Sequence, residues 1–142
     1  MLIKASGASF GDMDYDDIIE VSLDGEVSSC EGGKPSRESE THLAIYRCRK
    51  DVSAIFHCHS PWSVVASLSF DAWPPVSLPL EMKIGSVPVV DFGEGHADRK
   101  AADHVTDLMI AKPELKAFVQ RRQRFVLSFD RNHQGRTRRG AC

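Results

Sequence analysis

The sequence predicts an α/β fold, because stretches with strand patterns alternate along the chain with stretches of helical period. The clearest case is residues 35–68, where a helix, a strand and a second helix are predicted in immediate succession. The chain has 142 residues, of which 42% are hydrophobic, enough for one domain with a substantial core. We therefore expect a folded domain over residues 1–129. An arginine-rich tail, residues 130–142, has little to bury and is expected to be disordered.

The remaining elements follow from local patterns. Residues 1–7 predict a short strand entering a turn, and residues 18–23 predict a strand that ends at Asp24-Gly25, a hairpin signal. Residues 61–70 predict a helix that buries an apolar set, and the proline-rich residues 71–80 predict an extended crossing without an element. The apolar set is Trp62, Val65, Ala66 and Leu68. Beyond the crossing we expect a strand at 85–92, a helix at 96–110 and a strand pattern interrupted by arginines at 116–129.

The sequence His57-Cys58-His59 ends the strand predicted over residues 52–58. Residues i and i+2 of a strand point to the same face, so both imidazoles project together. Zinc is the divalent ion most often held by histidine, and a catalytic zinc usually has three protein ligands and one open position. The alternative is a half-buried strand face whose histidines are satisfied by hydrogen bonds.

Glu38 precedes the helix that leads into the histidine strand. A carboxylate near a metal can move protons, although a glutamate in the first turn is also favoured by the helix dipole alone. His42 follows Glu38 at i+4 and is interpreted as a histidine packed near it rather than as a metal ligand.

Taken together, these segments resemble the class II aldolase and adducin family, most closely its short sugar-aldolase members of the L-fuculose-phosphate aldolase type. The resemblance covers roughly the first two thirds of the chain. It implies a three-layer α/β/α fold with a central mixed, largely antiparallel sheet. The matching pieces are Ile3-Lys4-Ala5-Ser6-Gly7, Asp24-Gly25, Pro35-Ser36-Arg37-Glu38, His42-Leu43-Ala44-Ile45-Tyr46 and His57-Cys58-His59-Ser60.

The resemblance implies a role for each matching site residue. Glu38 would be the catalytic acid/base, and His57 and His59 would bind zinc. The substrate phosphate would be held by Ser6, Gly7, Ser36 and Arg37. Without the resemblance, the serine and glycine at positions 6 and 7 predict only a plain turn.

Two departures from the family pattern stand out. Members normally begin with a helix and a Gly-Asn-x-Ser loop ahead of the first strand, and they end with further helices; we expect this domain to lack both ends. A third zinc histidine normally lies in a Gly-His-Gly turn, where this chain has Gln123 followed by Arg124. A glutamine amide is a poor zinc ligand, and an adjacent guanidinium repels the metal.

The implied activity is that of a zinc-dependent sugar-phosphate aldolase that cleaves a ketose phosphate. Alternatives are a catalytically inactive structural or interaction domain and a related sugar-phosphate dehydratase. The resemblance implies a homo-oligomer, a tetramer, with a small-molecule sugar phosphate as its partner.

Composition limits the other functional classes. The net charge of −2 argues neither for nor against a polyanionic partner. No aromatic residues interleave the arginines of the tail, which argues against nucleic-acid binding. The four cysteines show no CxxC spacing, and no apolar run approaches the length of a membrane span. These features predict reduced thiols in a cytoplasmic protein without a membrane partner.

Overall fold

A computed structural model describes residues 1–28, 33–92, 99–122 and 124–130, the last segment as backbone apart from the side chain of Val126. The chain divides into two compact units. The first comprises residues 1–49 and 94–111, and the second comprises residues 50–93 and 112–142. The predicted tail beyond residue 130 lies outside the described residues, so the domain boundary at 129/130 stays a prediction.

Strands and helices alternate along the described chain, as the patterns predicted. The first unit contains β1 (Leu2–Lys4), a 3-10 helix (Tyr15–Asp17), β2 (Ile18–Glu20), α1 (Ser39–Cys48) and α4 (Arg99–Ala111). The second contains β3 (Val52–Cys58), α2 (Pro61–Ser69), β4 (Ala72–Trp73), α3 (Leu78–Lys83), β5 (Val87–Val90), β6 (Ala117–Gln120) and β7 (Arg124–Asp130).

The first unit is built on an antiparallel ribbon and a pair of helices. β1 pairs with β2 so that Ile3 lies opposite Ile19. Because side chains alternate along a strand, both isoleucines are buried while Leu2 is exposed. The two isoleucines pack in one cluster with Leu43 of α1. The ribbon and α1 therefore share a core. On another side, α1 packs against α4.

The second unit holds the main sheet. Within the described residues this sheet has five strands in the order β3-β7-β6-β5-β4. The β5–β6 pair is parallel, whereas the β3–β7, β6–β7 and β4–β5 pairs are antiparallel. All four residues of β6 are buried, as expected for a central strand covered on both faces. The predicted mixed, largely antiparallel sheet is thus present.

Two expectations about the segment that follows the histidines are wrong. The apolar residues of α2 were expected to be core, but Trp62, Val65 and Leu68 are 82%, 57% and 58% exposed, whereas Ser63 and Ser67 are buried. An apolar residue can lie on any face of a largely apolar helix, so composition did not identify its buried side. Residues 71–80 were expected to contain no element, yet β4 and the start of α3 lie there, because Ala72 and Trp73 pair with β5.

The strand pattern predicted over residues 116–129 is two antiparallel strands, β6 and β7. Of the arginines that interrupt the pattern, Arg121 and Arg122 lie at the turn between these strands and Arg124 begins β7. Both cysteines in the described part of the chain, Cys48 and Cys58, are free thiols, as expected. None of the described helices combines the length and apolar character that a membrane crossing needs.

Candidate functional site

The structure brings the two predicted phosphate-binding segments together within the first unit. The Ser6 N–H donates to the Lys34 carbonyl at 2.8 Å, and the Ser36 N–H donates to the Lys4 carbonyl at 3.0 Å. Segments thirty positions apart in the sequence are therefore joined side by side. Ser6 and Arg37 are exposed and Ser36 is half-buried, so their polar groups can reach a ligand.

Gly7 turns the chain away from this junction with φ +91°, a left-handed conformation that residues with a side chain rarely adopt. Among the described residues, its chain neighbours apart, no heavy atom lies within 4 Å of where its Cβ would stand. The backbone conformation, and not a lack of space, therefore explains the glycine.

Glu38 lies at the N-cap position of α1 and is half-buried. Its N–H donates to the Ser36 Oγ at 3.3 Å, and its carbonyl accepts the His42 N–H at 3.0 Å. One turn of chain thus carries both a predicted phosphate-binding serine and the predicted catalytic carboxylate.

His42 packs inside the first unit, as a helix histidine was expected to do. Its Nε2 is buried and has no hydrogen-bond partner among the described residues. Burial lowers the pKa of His42 from 6.5 to about 4, because a charged imidazolium loses its hydration there. His42 is therefore neutral at physiological pH.

His57 near the end of β3 and His59 just after the strand lie side by side in the second unit. Their Nε2 atoms are 3.1 Å apart, and their ring centroids are 4.9 Å apart. His57 is half-buried and His59 is exposed, so the pair opens toward solvent. The strand places two imidazole nitrogens where they can share a proton or a metal ion.

The spacing of this pair suits zinc. Bonds of 2.0–2.1 Å from zinc to each nitrogen at a tetrahedral angle separate two ligand nitrogens by about 3.3 Å. The 3.1 Å between the Nε2 atoms is close to this separation. Within the ranges that the structure describes, no cluster of three or more His, Cys, Asp or Glu side chains is present. Gln123, which the resemblance led us to expect at the third ligand position, lies outside the described residues.

The turn between β6 and β7 lies next to the histidine end of β3. In the β3–β7 pairing, His57 is opposite Val126 and Cys58 is opposite Phe125, so β7 begins where the histidines are. Arg122 in this turn has φ 64°, again in the left-handed region, although it is not a glycine.

Sequence reasoning missed the contacts that hold this turn. Ser67 of α2 is fully buried, and its Oγ accepts the Arg122 N–H at 3.0 Å and donates to the Val64 carbonyl at 2.7 Å. Arg121 donates from Nη1 to the Ser67 carbonyl at 2.6 Å and from Nη2 to Asp71 at 2.5 Å. The available signal was the pair of serines at i,i+4 on α2, which mark a polar buried face.

The comparison with known protein families decides the lineage. Residues 1–122 match the family described as the Class II Aldolase and Adducin N-terminal domain. The chain belongs to this family. The match spans the phosphate segments, Glu38, the histidine pair and the β6–β7 turn as far as Arg122.

Curated relatives of this aldolase-family chain are enzymes of sugar-phosphate chemistry by name. An L-fuculose phosphate aldolase of Methanocaldococcus jannaschii is 34% identical over 113 residues, covering 78% of this chain and 61% of the relative. A 3-oxo-tetronate 4-phosphate decarboxylase of Escherichia coli K12 is 32% identical over 113 residues, covering 76% of this chain and 52% of the relative. This chain thus spans between half and two thirds of the length of these relatives.

Solved structures confirm the predicted class II aldolase-like α/β fold. The l-fuculose-1-phosphate aldolase of Thermus thermophilus superposes with a TM-score of 0.76 at 28% identity, covering 89% of this chain and 61% of that one. A second structure, an L-fuculose 1-phosphate aldolase with 22% identity and a TM-score of 0.78, shares the fold.

Proposed function

We propose that the protein is a zinc-dependent sugar-phosphate aldolase that cleaves a ketose phosphate in the retro-aldol direction. The observation that carries the proposal is the 3.1 Å separation of the His57 and His59 Nε2 atoms, which suits two ligands of one tetrahedral ion. Relatives named L-fuculose phosphate aldolase and 5-deoxy-D-ribulose 1-phosphate aldolase support the substrate class.

His57 and His59 are the residues that would hold the zinc. A bound zinc ion supplies Lewis acidity that polarises a substrate carbonyl. The imidazoles must be neutral to ligate, and any hydrogen between the two Nε2 atoms would have to move to Nδ1 or be released before both nitrogens could bind the ion. Catalytic zinc usually has a third protein ligand, and by resemblance Gln123, a poor zinc ligand, stands at that position.

The residues that would bind the substrate phosphate are Ser6, Gly7, Ser36 and Arg37. The Ser36 Oγ already accepts the Glu38 N–H, so its hydroxyl hydrogen is left to donate to an anion. The exposed Arg37 guanidinium adds a positive charge and several donors, which suit a phosphate dianion. These groups would orient the substrate by its phosphate end.

Glu38 is the proposed acid/base. A carboxylate at this position takes a proton from the substrate and returns it after the carbon–carbon bond breaks. The Glu38 backbone is fixed from both sides, by Ser36 Oγ and by the first turn of α1. The carboxylate therefore starts from a defined position.

Related reactions on the same groups are variants of this proposal. Loss of carbon dioxide from a 3-oxo acid and retro-aldol cleavage both convert the substrate carbonyl into an enolate, so one set of residues serves both, as the decarboxylase and aldolase names among the relatives suggest. A sugar-phosphate dehydratase is a further variant. The proposal includes a homo-oligomer, a tetramer, in the cytoplasm.

The second candidate is an aldolase-like structural or interaction domain without catalysis. It is favoured by Gln123 and Arg124, which by resemblance stand where the family's Gly-His-Gly turn would carry its third zinc histidine.

Elemental analysis of the purified protein separates the two candidates. We expect about one zinc per chain in the wild type, almost none in the His57→Ala/His59→Ala double variant, and full content in the matched control His104→Ala, which removes an exposed helix histidine. Retro-aldol assays with ketose 1-phosphates then follow activity in the same three proteins. Wild-type protein without zinc rules out the aldolase and leaves the non-catalytic domain.

A further inference from the structure

Lys4 contacts both of the segments that meet at the proposed phosphate site in the first unit. Its carbonyl accepts the Ser36 N–H at 3.0 Å, and its Nζ donates to the Ala5 carbonyl at 3.1 Å. The Ala5 carbonyl and the Ser6 nitrogen belong to one peptide group, in which oxygen and nitrogen are about 2.3 Å apart. The Lys4 ammonium therefore lies within about 5.4 Å of the Ser6 nitrogen.

The same carbonyl closes the turn that carries Ser6 and Gly7. The Ala8 N–H donates to the Ala5 carbonyl at 3.3 Å, so residues 5–8 form a β-turn. Gly7 is the third residue of this turn, and its φ of +91° is the conformation that a type II turn requires there. The turn and the Lys4 ammonium thus share one acceptor. An anion that accepts a hydrogen bond from the exposed Ser6 hydroxyl comes within reach of the flexible lysine side chain.

The positive charge of Lys4 is available to a ligand at this place. Lys4 is half-buried, and its ammonium donates to a neutral carbonyl, so this bond leaves the charge uncompensated and uses one of three N–H groups. Arg37, exposed on the other segment next to Ser36, supplies a second cation. A phosphate monoester carries a charge of about −1.5 to −2 at neutral pH. One cation from each segment matches that charge.

We propose that Lys4 is a further phosphate-binding residue, and that its ammonium enables the first unit to bind a phosphate monoester without a metal ion. The inference rests on the phosphate-binding segments of the proposed function. It does not depend on the histidine pair, which belongs to the second unit. The site therefore binds phosphate under either candidate function, as an aldolase or as a non-catalytic domain.

The test is a titration of the full-length protein with inorganic phosphate in the presence of a metal chelator, followed by the NMR signals of the Ser6, Gly7 and Ser36 amides. We expect saturable shifts at these three amides. The dissociation constant should be about tenfold weaker in Lys4→Met, because a bond between two charged groups is lost. Lys4→Arg keeps the charge and should bind more tightly than Lys4→Met. Lys4→Gln replaces Lys4→Met as the deciding variant if the latter does not fold.

Lys83→Met is the matched control, because it removes the same charge from an exposed position on α3 in the second unit. It should leave the dissociation constant at its wild-type value. Wild-type affinity in Lys4→Met, or an equal loss in Lys83→Met, overturns the role of Lys4 while the proposed function stands. Shifts that require added zinc overturn the metal independence of the site. A wild type that binds no phosphate with or without zinc overturns the proposed phosphate segments and the inference with them.

Discussion

Among the described turns with left-handed backbone conformations, the turn after β1 and the turn between β6 and β7 differ in the residue that adopts the conformation. The turn after β1 has Gly7 at φ +91°, and the turn between β6 and β7 has Arg122 at φ 64°. Each is held by a hydrogen bond from its own backbone, from Ser6 N–H to the Lys34 carbonyl and from Arg122 N–H to the Ser67 Oγ. Glycine accepts such a conformation freely, whereas arginine does so at a cost of about 1–2 kcal/mol.

The two turns show that backbone conformation and residue type can agree in one place and disagree in another. In the first turn, the residue type, the backbone and the proposed phosphate role agree. In the second, Arg122 adopts a backbone conformation that suits glycine. The buried Ser67 contact explains how the second turn can persist without the residue its backbone prefers. We therefore expect the first region, which we call the half-site, to keep its proposed phosphate-binding and acid/base roles. In the second region, a substitution in the turn should be able to increase zinc affinity.

The largest effect is expected in the first region, at Glu38. Glu38→Gln keeps the shape of the side chain but removes its capacity to take up a proton, so kcat for retro-aldol cleavage should fall by about 10²- to 10⁴-fold. Zinc content should be unchanged, since the proposed ligands are His57 and His59. Steady-state kinetics beside elemental analysis check this. Equal turnover in variant and wild type means that Glu38 is not the acid/base.

The pH dependence of stability tests the packing of the same region. His42 has a pKa of about 4 in the folded protein and 6.5 as its ordinary value, so below pH 6.5 the unfolded chain takes up a proton that the folded protein does not. Stability is therefore lost as the pH falls from 6.5 toward 4. The loss from this residue amounts to about 2 kcal/mol by pH 5.

Urea unfolding at pH 7 and pH 5 measures this contribution. His42→Leu should reduce the difference between the two pH values by that amount, whereas the exposed His104→Gln should leave it near the wild-type value. An unchanged difference in His42→Leu contradicts a neutral, buried histidine beside the proposed half-site.

Most of the fold followed from the sequence because its signals are local. The predicted strand at residues 52–58 coincides with β3, since an apolar, β-branched run ends at Ser60-Pro61, a helix start. The side-by-side histidines followed from the two-residue period of a strand. Burial on α2 did not follow, because the helix uses small polar residues to reach the turn and leaves Trp62 exposed.

The contacts of the site that the sequence did not predict join residues distant from one another in the sequence. Ser67 and Arg122 are 55 positions apart, and no local pattern announces a hydrogen bond over that separation. The junction of Ser6 with the segment before α1 was suggested by resemblance, and local patterns alone predicted only a turn. Sequence therefore located the candidate chemistry, and the structure supplied the contacts that orient it.

The third prediction concerns a substitution that should increase zinc affinity in the second region. Gln123→His should raise zinc affinity by about tenfold or more, because an imidazole is a far better zinc ligand than an amide. Competition with a chromophoric chelator measures the change. Gln123→Asn is the matched control, since it alters the side chain without adding a ligand. No gain in Gln123→His indicates that the turn does not present residue 123 to the histidine pair.

The smallest expected effect is a change in the free energy of unfolding when the residue with positive φ is replaced in each of the two turns. Arg122→Gly removes the strain of a side chain at φ 64° but adds freedom to the unfolded chain, so the free energy of unfolding should rise by roughly 0.5–1 kcal/mol. Gly7→Ala should lower it by about 1 kcal/mol, because no contact blocks the new methyl group and only the backbone conformation opposes it. Urea unfolding at pH 7 measures both. A gain in Arg122→Gly together with a loss in Gly7→Ala confirms that both turns favour glycine and that only the first turn has one. A loss of stability in Arg122→Gly means instead that the arginine side chain stabilises the turn by more than its backbone strain costs.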